Sequence, residues 1–129
     1  MLNIRKLSKI SSNCSFILSD LQEVADEWQN ELDDIEGNEP EYTSQTDRRQ
    51  ERVDRLTYAI GIITETNEKF KQWINSFDNI NPNSNNAEEN YDNLKYDLSE
   101  IIDDYVSAQS NKNGIAQYIN KLKKVVSSM

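Results

Sequence analysis

Apolar residues recur every seven positions along the first third of the chain. The repeating set is Leu7, Cys14, Leu21, Trp28 and Ile35. Three residues after each of its first three members stand Ile10, Ile17 and Val24. This is the heptad pattern of a helix that buries one seam against other helices. It predicts a first helix over about residues 4–35. Such a helix would be about 48 Å long at 1.5 Å per residue.

Few residues interrupt this pattern in the rest of the chain. Three Gly and two Pro among 129 residues favour long helices over a turn-rich β fold. Further apolar seams predict helices at about 46–77, 87–109 and 115–127, with an Asn-rich linker at 79–86. We therefore expect one all-α domain over residues 1–129. Its first two helices should form a long antiparallel hairpin, completed to a bundle by the two shorter helices.

One polar residue interrupts the apolar seam of the second helix. The apolar members are Val53, Leu56, Ile60, Ile63, Phe70, Ile74 and Phe77. Asn67 stands among them at a seam position. A lone Asn at such a place can fix the pairing register or the number of partners, at a cost in stability. We therefore take Asn67 as a candidate register- or oligomer-specifying residue, and a homodimer as one open alternative.

The charges are unevenly distributed along the chain. The net charge is −9, and all 23 acidic residues lie between Asp20 and Asp104. The stretch from Asp20 to Glu41 holds ten acidic residues and no Lys or Arg. Both ends of the chain are basic. A third basic group opens the second helix at positions 48–55, where interleaved acidic residues predict pairing at helical spacing.

The first acidic stretch is the candidate partner-binding surface. Its members are Asp20, Glu23, Asp26, Glu27, Glu31, Asp33, Asp34 and Glu36. A row of carboxylates along a helix can resemble a row of phosphates and attract a basic protein surface, such as that of a nucleic-acid-binding protein. The negative electrostatic field of these carboxylates disfavours direct binding of nucleic acid. The competing interpretation is a solvated face that keeps a narrow bundle in solution.

The sequence offers little support for catalysis. It contains no histidine, which excludes Ser-His-Asp catalysis, HExxH zinc sites and Glu-x-x-His di-iron sites. Carboxylate pairs at helical spacing occur at Glu89/Asp92, Glu100/Asp103 and Glu23/Asp26. Two such pairs on facing helices can hold Mg²⁺, as in all-α nucleotide pyrophosphohydrolases, but the two best pairs here share one helix. We predict no catalytic, metal or cofactor site, and a Mg²⁺-dependent hydrolase is the third alternative.

The single cysteine and the hydropathy pattern bear on the environment. Cys14 has no second cysteine with which to form an intrachain disulfide, which suits a reducing cytoplasm. Its seam position predicts a buried, inert thiol. The aromatic set Phe70, Trp73 and Phe77 is predicted to be core. No apolar run approaches 18 residues, so no membrane span is predicted.

In size, acidity and helix content the chain resembles the small acidic helical proteins of phages and mobile elements. Some of those inhibit host nucleases or defence complexes, and some help assembly. The resemblance implies a cytoplasmic, non-enzymatic protein-binding module of the inhibitor or DNA-mimic type. The alternative is a structural or assembly protein that acts through homo- or hetero-oligomeric coiled-coil packing.

Overall fold

The computed structural model describes residues 2–37 and 45–129, with side chains from residue 48 onward in the second segment. It contains four helices: α1 (Ile4–Gly37), α2 (Gln45–Asp78), α3 (Ala87–Asn111) and α4 (Ala116–Ser128). The described residues form no strand, and the all-α class is confirmed. The predicted helix ends differ from these bounds by at most two residues. Pro40 cannot continue a helix, which predicts a turn there, and this residue lies outside the described residues.

The first two helices form the predicted antiparallel hairpin. Near one end, the Ser11 hydroxyl of α1 donates to the Asp78 carboxylate at the last residue of α2. Near the other end, the Arg49 guanidinium of α2 donates to the backbone carbonyl of Ile35 in the last turn of α1. A cation at that place also stabilises the negative end of the α1 dipole.

The two shorter helices complete a four-helix bundle. The Trp73 indole N–H of α2 donates to the Leu94 carbonyl of α3 at 2.7 Å. The Tyr91 hydroxyl, near the start of α3, donates to the Met129 carbonyl after the end of α4 at 3.1 Å. Helix α4 packs on α3 and on α1, while α2 packs on α1 and on α3. The order is therefore up-down-up-down, with every helix against two neighbours.

Aromatic side chains fill the half of the core where α2 ends and α3 begins. The Trp73 and Phe77 rings stack with centroids 5.0 Å apart, and Phe70 lies 6.1 Å from Trp73. Tyr105 meets Phe70 edge-on at 6.2 Å, and Tyr91 lies 6.2 Å from Phe77. Such pairs stabilise beyond their burial by about 0.5–1.5 kcal/mol each. The predicted core positions of Phe70, Trp73 and Phe77 are confirmed.

Helix α2 buries more of its circumference than its predicted seam. Because it lies between α1 and α3, a third row at seven-residue spacing also faces the core, formed by Ala59, Thr66 and Trp73. The Thr66 hydroxyl is satisfied by donating to the Ile62 carbonyl of its own helix at 2.6 Å. In α4 the apolar spacing of the sequence predicts Val126 on the buried seam, but Val125 is buried and Val126 is only half-buried.

The turn between α3 and α4 depends on two residues. The side-chain oxygen of Gln109 accepts the backbone N–H groups of Gly114 at 3.1 Å and Ile115 at 2.8 Å. Gly114 has φ +141°, a conformation that L side chains rarely adopt, and a Cβ there would lie 3.8 Å from Nε1 of Trp28. This turn therefore places the start of α4 against the buried indole of α1.

Asn67 joins three helices from inside the bundle. Its side chain is buried; its amide nitrogen donates to the Leu21 carbonyl of α1 at 3.2 Å. The Tyr105 hydroxyl of α3 donates to the Asn67 side-chain oxygen at 2.7 Å. Only one alignment of α1, α2 and α3 satisfies all of these groups, which favours the predicted register function. Both hydrogen bonds lie within one chain, so they give no support to the oligomer-specifying alternative.

Replacing Asn67 by Leu should therefore destabilise the fold, although a seam Asn in a coiled coil usually costs stability. The buried Tyr105 hydroxyl would lose its acceptor, and we expect a loss of about 2 kcal/mol. Urea unfolding followed by circular dichroism measures it. The Asn67→Leu/Tyr105→Phe variant removes the orphaned hydroxyl and should recover part of the loss. An Asn67→Leu chain as stable as the wild type would contradict this account.

Candidate partner-binding surface

The eight predicted carboxylates lie on two sides of α1. Five of them follow one another at intervals of three or four residues and form one stripe on the helix, here called the acidic stripe: Asp20, Glu23, Glu27, Glu31 and Asp34. On the other side, Asp26 borders a groove between α1 and α2. Asp33 and Glu36 follow on that side, and Asp33 accepts a hydrogen bond from Gln29 at 3.0 Å.

The middle of the acidic stripe is open to solvent. Glu23 and Glu27 are exposed and Asp20 is half-buried. Among the described side chains, no Lys or Arg forms an ion pair with any of the three. Like charges four residues apart on a helix destabilise it by about 0.2–0.5 kcal/mol, so Glu23 and Glu27 oppose folding slightly. Their shared field extends into solvent, where it can attract a cationic surface.

Glu31 differs from the rest of the stripe because its carboxylate is bound within the chain. It lies 3.0 Å from the Arg52 guanidinium of α2 and 3.1 Å from the Lys112 ammonium just after α3. The Arg52 hydrogen bond, aided by Lys112, lowers the pKa of Glu31 below its usual value against an opposing effect of burial. Glu31 therefore links α1 to α2 and to the end of α3.

These contacts belong to a basic groove that the sequence did not predict. Its volume is about 270 Å³, and its lining includes Glu31, Arg48, Glu51, Arg52, Arg55 and Lys112. Arg55 makes the predicted helical pair with Glu51 at 3.6 Å, whereas Arg52 reaches across to α1. Lys112 comes from a distant part of the sequence. The position of Lys112 in this groove could be predicted only from the packing order of the helices.

The remaining candidates for chemistry stay separate. The α3 pairs Glu89/Asp92 and Glu100/Asp103 are exposed. Within residues 2–37 and 48–129, no three His, Cys, Asp or Glu side chains converge to hold a metal ion. Cys14 is fully buried in the core, as predicted. Burial, with a smaller effect of the Asp78 charge, raises the pKa of its thiol to about 12.

Comparison of the chain with protein-family models, with curated proteins and with solved structures finds no match. In the described part of the chain, no helix is both long enough and apolar enough to cross a membrane.

Removing the Glu31 charge should weaken the fold in a pH-dependent way. Glu31→Gln should lose about 1 kcal/mol at pH 7, because two partly exposed ion pairs are replaced by neutral contacts. Because the pKa of Glu31 is lowered in the folded state, its ionised form stabilises the fold above the usual value of 4.5. This stabilisation is lost as the pH falls from 4.5 through the lowered pKa. The difference between variant and wild type in urea unfolding should therefore shrink by pH 3. An equal difference at both pH values, or a similar loss in Glu89→Gln, would contradict the assignment.

Cys14 should resist thiol reagents in the folded chain. The thiolate is the reactive form, and a buried thiol with a pKa of about 12 supplies almost none at pH 8. We expect labelling by maleimide to be at least about 100-fold slower in buffer than in urea. Ser12→Cys supplies a matched control, because position 12 is exposed on the same helix and its thiol should label rapidly. Equal rates at the two positions would show that Cys14 is accessible.

Proposed function

We propose that this chain is a non-enzymatic protein-binding module whose acidic stripe docks on a basic surface of another protein. The observation that carries the proposal is the row of Asp20, Glu23 and Glu27. These neighbouring carboxylates are held on a helix that the core fixes in place, and no described cation pairs with them. Their repulsion costs a little folding stability, and a basic partner would relieve it.

The chemistry of the stripe indicates the kind of partner. Carboxylates that recur about once per helical turn present a negative charge roughly every 5 Å. A surface that tracks phosphates with Lys and Arg side chains is complementary to such a row. The proposed partner is therefore a nucleic-acid-binding protein, and docking would exclude nucleic acid from its groove. The chain would then act as a cytoplasmic inhibitor of the phage or mobile-element type.

The alternative, an assembly protein that acts through its apolar seams, has less support. The seam residues of all four helices are packed against one another inside one chain. The large hydrophobic side chains that remain exposed among the described residues are spread over three helices: Ile4, Phe16, Tyr58, Tyr96 and Val106. None of these forms a second continuous seam at heptad spacing. On the helices as described, a coiled-coil partner would therefore find no continuous apolar stripe to pack against.

Neutralising the solvent-exposed part of the stripe should weaken docking while leaving the fold intact. The variant is Asp20→Asn/Glu23→Gln/Glu27→Gln, and its control of equal net charge is Glu89→Gln/Asp92→Asn/Glu100→Gln on α3. The immobilised chain is used to capture partners from a lysate of its source cells, and mass spectrometry identifies them. Binding kinetics on the captured partner then compare the two variants.

We expect the stripe variant to slow association at least about tenfold, with a smaller effect on dissociation, because long-range attraction mainly raises the on-rate. The α3 control should stay near wild type. Raising salt from about 0.05 M to 0.5 M should mimic the stripe variant, since the screening length falls to a few Å. Equal losses in the two variants, or no loss in either, would refute the proposal.

A further inference from the structure

An exposed aromatic residue interrupts the outer face of α1. The Phe16 side chain is 74% exposed, the largest value among the exposed large hydrophobic residues. It precedes the acidic stripe and follows the basic start of the helix. An aromatic ring left in water at the border between opposite charges is a candidate contact with another molecule.

Charges on either side of Phe16 are opposite at equal distances. Lys9 lies seven residues before it and Glu23 seven after it; Arg5 lies eleven before and Glu27 eleven after. Seven and eleven residues are close to two and three full helical turns, so all five side chains lie on one face. All five are exposed, and in the described part of the chain none of the four charges forms an ion pair.

We propose that this face binds a second copy of the chain in an antiparallel dimer whose two-fold axis passes near Phe16. In a two-fold contact, residue i meets residue j of the other copy and j meets i. The two Phe16 rings would meet at the axis, with Lys9 of each copy against Glu23 of the other. Arg5 would likewise meet Glu27. The inference rests on the proposed function, because the second copy binds carboxylates of the same acidic stripe.

Helix α4 adds charge that favours this occupant. Lys121 and Lys124 line one groove of about 470 Å³ with Lys9 and Phe16. In the antiparallel arrangement, the acidic half of the second α1 passes along the basic side of this groove. A nucleic acid strand would also be attracted to these lysines, but a long strand would continue past Phe16 onto the acidic stripe and be repelled there. A second α1 matches the face on both sides of Phe16.

The dimer should be weak and should regulate the acidic stripe. Its contact is one helix face with exposed ion pairs, which contribute little each, so we expect a dissociation constant on the order of 10⁻⁴ M. Self-association would cover Glu23 and Glu27. A basic partner would therefore compete with the second copy for the stripe, and dilution of the chain would favour the partner.

Charge reversal tests the pairing directly. Sedimentation equilibrium of the full chain at about 0.15 M salt, where long-range repulsion is screened beyond about 8 Å, gives the dissociation constant. Lys9→Glu or Glu23→Lys alone should raise it at least about tenfold. Lys9→Glu/Glu23→Lys in one chain restores both contacts and should return it to within about threefold of wild type. Phe16→Glu should abolish the dimer.

Two controls separate this inference from the proposed function. Lys71→Glu and Glu100→Lys make the same changes in net charge at exposed positions on other helices and should leave the dissociation constant unchanged. A chain that is monomeric at millimolar concentration, or a double variant no better than the single ones, would overturn the dimer. The proposed function would survive that result, because it fails only if capture of a basic partner is indifferent to the stripe.

Discussion

The structure depends on the burial of α2 between two antiparallel neighbours. The helix offers three rows to the core, and Asn67 lies among them with hydrogen bonds to Leu21 of α1 and Tyr105 of α3. Apolar packing supplies most of the driving force, but it tolerates sliding of one helix along another. The Asn67 side chain does not tolerate such sliding, because a shift by one turn would leave buried polar groups without partners. The positions of all surface charges follow from this alignment.

The charges then divide into those that the fold uses and those that face solvent. Glu31 is bound by Arg52 and Lys112 where α3 ends, and it fastens the exit of α3 to the hairpin. Glu27 and Glu23, one and two turns earlier on the same stripe, have no such partners among the described residues. One acidic row therefore has two parts. Glu31 stabilises the bundle, whereas Glu23 and Glu27 face solvent.

Heptad spacing was enough to predict the four helices and most of the core, since burial of one face is what creates the spacing. The contacts that depend on packing order were not predictable. Lys112 meets Glu31 across 81 positions of sequence, and nothing in either local pattern marks the pair. The hydrogen-bond partners of Asn67 could not be predicted for the same reason. In α4, Val125 and Val126 are adjacent, and the packing of α4 against both α1 and α3 decides which of them is buried.

The central claim is that recognition occurs on the outer face of α1. The most direct measurement is an NMR titration of the ¹⁵N-labelled chain with its captured basic partner, following every backbone amide. The account predicts shifts concentrated on α1 between Asp20 and Asp34, with α3 resonances nearly unchanged. Shifts concentrated on α3, or spread evenly over all four helices, would contradict it.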